Sequence, residues 1–67
     1  MMSPELHDRV ALLEDAGDWP AGTTGTVVEH LPGGVMVELV GPDGAMLDLV
    51  DLPLDAVEVV ERHPALA

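Results

Sequence analysis

Residues 24 to 40, TGTVVEHLPGGVMVELV, constrain the fold of this chain more than any other stretch. Two runs of Val, Thr and Leu flank Pro32-Gly33-Gly34. Proline presets φ and glycine accepts positive φ, so such a triplet reverses the chain within a few residues. A second reversal, Gly41-Pro42-Asp43-Gly44, is followed by another aliphatic run. Strand, turn, strand, turn, strand is a β-meander. Residues 8–14, DRVALLE, read as a strand before it. The Gly/Pro/Asp-rich segment 15–23, DAGDWPAGT, reads as a loop. Pro53 to Ala56 suits one 3-10 turn, and Val57 to Glu61 a closing strand.

Five short strands, a long first loop, two tight turns and a 3-10 turn before the last strand predict an all-β fold. The expected architecture is a small five-stranded SH3-like barrel over residues 8–61, with a flexible lead at 1–7 and a tail at 62–67. Alternation assigns the faces. Val10, Leu12, Val27, Val35, Val37, Leu39, Leu47, Leu49, Val57 and Val59 are the expected core. The opposite faces carry Glu38, Asp48 and Glu58, together with Met36, Val40, Met46, Val50 and Val60. Strands apolar on both faces are ordinarily covered on both, and the chain has no helix to spare for the outside. Two readings follow: scattered surface aliphatics, which are common, or a patch buried by a second copy or a partner.

Composition narrows the function. The 67 residues hold thirteen Asp and Glu against two basic residues, for a net charge of −11. Binding nucleic acid requires cations that release counterions from phosphate, and a polyanion repels them over a Debye length of roughly 8 Å. The chain is therefore not expected to bind nucleic acid directly. An acidic barrel can instead mimic it and occupy a basic protein's site. Hydrophobic residues make up 48% of the chain, which argues against disorder. No apolar run is long enough to span a bilayer, and the N-terminus lacks a signal-peptide pattern. The expected location is the cytoplasm.

Catalysis lacks parts. Cysteine is absent, which excludes disulfides and thiolate metal sites. Ser3 is the one serine, and no histidine is placed as a base for Thr23, Thr24 or Thr26. His7, His30 and His63 have no metal-ligand spacing, although His7 and His63 can approach through the termini. Trp19 is the sole aromatic, too few for a proline-peptide groove. It is expected to cap one end of the barrel, or to act as an exposed anchor. No enzyme activity, metal or cofactor is expected.

The segments Asp8-Arg9-Val10-Ala11-Leu12-Leu13-Glu14 and Gly25-Thr26-Val27-Val28-Glu29, with the closing VEVV, resemble the domain-of-unknown-function 4926 family of small bacterial proteins. The resemblance spans residues 6–61. It implies a stand-alone accessory protein, in some cases one half of a toxin–antitoxin or immunity pair. Gly22-x-x-Gly25-x-Val27 is also similar to the KOW motif, but the cations that KOW domains carry around their loops are missing here.

The expected function is a non-enzymatic acidic module that binds another protein. The candidate contacts are Met36, Val40, Met46 and Val50, with Glu38, Asp48 and Glu58 facing a basic partner and Trp19 as a candidate anchor. Three alternatives stay open: an antitoxin or immunity-type protein that neutralises a basic enzyme, an accessory subunit of an enzyme complex, and a structural homodimer.

Overall fold

The computed structural model describes residues 3–62. Five strands form one antiparallel sheet: β1 (Arg9–Leu12), β2 (Thr24–Leu31), β3 (Gly34–Val40), β4 (Met46–Pro53) and β5 (Val57–Glu61). A 3-10 turn at Leu54–Ala56 precedes β5. The strand order is β4-β3-β2-β1-β5. The meander β2–β4 thus continues through β1 to β5, which pairs antiparallel with β1. Five antiparallel strands with a 3-10 turn before the last are the all-β, SH3-like architecture expected from the sequence. Among the described residues no helix is long and apolar enough to cross a membrane.

Turn chemistry sets the registers. Pro32 and Gly33 alone separate β2 from β3, and Gly33 takes the left-handed φ of 75° that proline-glycine reversals require. In the second turn Gly44 N donates to Gly41 O and the Asp43 carboxylate accepts from Ala45 N. A bulge in β2, between Val27 and Glu29, lets that strand bend away from β1 while keeping its pairing with β3.

The core is aliphatic. Val10, Leu12, Val27, Val35, Val37, Leu39 and Val57 are buried as one cluster, and Ala16, Trp19, Val50, Leu52 and Val59 pack on its margin. Both sheet edges therefore contribute to one interior, so the sheet curls over itself.

Two core expectations are overturned. Leu47 and Leu49 are about half exposed, at 46% and 49%, whereas Val50 and Leu52 face inward. A bulge explains the reversal. Leu39 pairs with Asp48 but Val40 pairs with Met46, leaving Leu47 as the extra residue. One inserted residue shifts the phase of every side chain beyond it. Met46 keeps its expected outward face, and residues 48–52 exchange theirs.

Residues 3–7, expected as a loose lead, are tied to the barrel. Pro4 is buried, and its carbonyl lies 3.2 Å from His30 Nε2. His7 N donates to Val27 O, with His7 itself at a φ of 72°. Asp8 is 1% exposed, and its carboxylate accepts from Glu5 N at 2.9 Å. Arg62, just past β5, pairs with Glu5, reaches within 3.5 Å of Asp8 and donates to Ser3 O. The two ends meet because β1 and β5 are sheet neighbours. Asp8→Ala removes a buried acceptor and leaves the Glu5 amide without it, so chemical denaturation should register a loss of about 2 kcal/mol. Residues 63–67, including His63, lie outside the described residues.

Candidate interaction face

Residues directly opposite one another in an antiparallel pair project from the same face, so the registers map the outer surface of β2, β3 and β4. Four rows cross it. Leu31, Gly34 and Pro53 form the first, and Glu29, Met36 and Asp51 the second. Thr26, Glu38 and Leu49 form the third, and Val40 and Met46 the fourth. The face is a ladder in which apolar and acidic side chains alternate. Met46 is 58% and Leu49 49% exposed, while Met36, Glu38 and Val40 are half-buried by their neighbours.

Four of the expected contact residues, Met36, Glu38, Val40 and Met46, are therefore brought together. Val50 is not. It pairs with Val37 and packs on the core, and Leu49 takes its place on the outer face. Sequence alternation missed Leu49 because the bulge at Leu47 is invisible in it. Asp51, also unassigned by the sequence, lies beside Met36 on this face. Glu58 is exposed but sits on β5, where it pairs with Ala11 of β1. Three strands separate it from β4, so it does not belong to this patch.

Trp19 and Asp48 form a unit of their own. Trp19 is half-buried against the core, and its indole Nε1 donates to Asp48 Oδ2 at 3.0 Å. The other oxygen of that carboxylate accepts from Leu49 N at 2.8 Å. Paired backbone bonds between Ala16 and Trp19 fix the loop that carries the indole. The pair latches the first loop onto the start of β4, which is the capping role. Asp48 pairs with the inward-facing Leu39, so it is a latch rather than a member of the outer ladder. Asp48→Ala should cost about 1 kcal/mol, the ordinary net worth of a hydrogen bond. Because Trp19 is the only tryptophan, the same variant should shift the protein's emission to the red. Unchanged emission would contradict the latch.

On β2, β3 and β4 the face carries Glu29, Glu38 and Asp51 and, among the described residues, neither Lys nor Arg. Arg62 is engaged with Glu5, and Arg9 of β1 continues the third row beyond Thr26. At separations of a few ångströms near a protein surface, opposite charges attract with energies of a few kcal/mol before desolvation is counted. Among the described residues no three His, Asp or Glu side chains converge as a metal site. No known protein family, curated protein or solved structure matches the chain.

Proposed function

We propose that this chain is a non-enzymatic interaction module of the bacterial cytoplasm, and that the outer face of β3 and β4 receives a basic protein. One observation carries the reading: Met46 and Leu49 are exposed side by side on a sheet face whose other members include Glu29, Glu38 and Asp51. Apolar side chains set among carboxylates suit a partner that offers aliphatic surface and cations together. A second copy suits them poorly. It would bring a further net charge of −11 to the same surface.

The resemblance to the domain-of-unknown-function 4926 family supports an accessory role. An antitoxin or immunity-type protein is the form of that role in which the basic partner is itself an enzyme.

Affinity capture of tagged protein from its native lysate, at low and at high salt, tests the proposal. A stoichiometric basic partner held at low salt and released at high salt is the expected result. Recovery of the bait's own chain alone would overturn it in favour of a self-associating module.

A further inference from the structure

A shallow groove interrupts the outer face at the β2–β3 turn. Leu31, Pro32, Gly33, Gly34, Asp51, Leu52 and Pro53 line it. It exists because the first row of the face has no side chain at its centre: Gly34 stands between Leu31 and Pro53. Gly34 can carry none, since a Cβ there would lie 2.3 Å from Leu52 O. The gap is thus imposed by the close approach of β3 and β4, and no rotamer change fills it.

The groove encloses about 270 Å³, which is below the range typical of small-molecule and cofactor pockets. Its size suits a single long side chain. Leu31, Pro32 and Pro53 supply apolar walls, and Asp51 supplies a carboxylate at one end. A methylene stem along the walls and a cation at Asp51 would satisfy both parts. Guanidinium fits better than ammonium, because its planar fork bonds a carboxylate in a bidentate fashion and lies flat on apolar surface.

We infer that this groove is a subsite for an arginine side chain of the partner. The inference rests on the reading of the face as a receptor for a basic protein, and it names the residue type that anchors at one end of it.

The test uses a defined probe. The blocked peptide Gly-Gly-Arg-Gly-Gly is titrated into isotopically labelled protein and followed by amide chemical shifts, in parallel with the same peptide carrying citrulline, the neutral isostere of arginine. The arginine peptide should bind weakly and shift the amides of Gly33, Gly34, Asp51 and Leu52, with citrulline at least tenfold weaker. Asp51→Asn should weaken the arginine peptide about tenfold and leave the fold unchanged, because the side chain is exposed. Met46→Asp with Leu49→Asp should leave the peptide's affinity within twofold, since the probe does not reach that end of the face. Equal binding of the two peptides, or shifts centred elsewhere, would overturn the inference. The same would follow if arginine binding were insensitive to Asp51→Asn. Any of these results would leave capture through Met46 and Leu49 standing. Loss of capture in the lysate experiment, with arginine still seated in the groove, would instead overturn the broader reading.

Discussion

Replacing Met46 and Leu49 together with aspartate abolishes binding of the captured partner, by a hundredfold or more, and leaves the protein folded. Both side chains are about half exposed or more, so neither contributes much to the interior. Surface changes of this kind ordinarily alter stability by less than about 0.5 kcal/mol each. At an interface the same positions behave differently. The residues that dominate binding are those fully desolvated in the complex, and truncating one costs about 2 kcal/mol or more. Aspartate adds the penalty of burying a carboxylate against the partner's apolar surface. A hundredfold loss corresponds to about 2.8 kcal/mol, so two such positions suffice. Met46→Ala with Leu49→Ala, which removes contact without adding charge, should fall between this variant and wild type. Calorimetric titration measures the affinities, and thermal melting confirms the fold.

Val50→Asp has the opposite effect. Val50 is next in sequence to Leu49 but projects inward, opposite Val37, and packs on the core. A carboxylate there must be desolvated or must drag β4 off the barrel. The cost is several kcal/mol for a polar group without partners, and more for a charge. A chain of 67 residues has on the order of 5 kcal/mol of stability in all, so this variant should be largely unfolded at moderate temperature. Leu49→Asp, one residue away, should melt within a few degrees of wild type. Urea denaturation of the two variants side by side reads the β4 phase directly. Equal stability of both would mean that the bulge at Leu47 is misplaced.

The contrast between these neighbours shows how far the sequence could be read. The turns at Pro32-Gly33 and Gly41–Gly44 announce themselves by residue type, and the β-branched and leucine residues at every second position, Val35, Val37 and Leu39, set the inward face of β3. Those features are enough for the β2–β3–β4 meander and for most of the core. Met46-Leu47-Asp48-Leu49-Val50-Asp51-Leu52 is different. The odd positions of this run offer Leu47, Leu49 and Asp51 and the even ones Met46, Asp48, Val50 and Leu52, so each phase mixes apolar residues with one aspartate and hydrophobicity hardly separates them. The structure chooses by inserting Leu47 as a bulge and by giving Asp48 a hydrogen-bonding partner in Trp19. That partner is 29 residues away in sequence, beyond the reach of any local pattern. The anchored N-terminal segment is a similar case. Pro4 reads as a strand breaker, and nothing local reports that Arg62 will sit beside Glu5 and Asp8 once β5 pairs with β1.

The candidate face followed the same logic. Its β3 half, Met36, Glu38 and Val40, was legible because alternation holds there. Its β4 half was legible only up to the bulge. Exposure of Glu58 is predictable from a strand pattern, whereas its distance from the β3–β4 face depends on topology.

The measurement that tests the account most directly is a map of the contact surface. The captured partner is added to isotopically labelled protein, and the amide shifts are followed residue by residue. The account predicts that the largest changes fall on Met36, Glu38, Val40, Met46 and Leu49, with Glu58 and Val60 of β5 unmoved. Changes centred on β5 and β1, with the β3–β4 face silent, would contradict it.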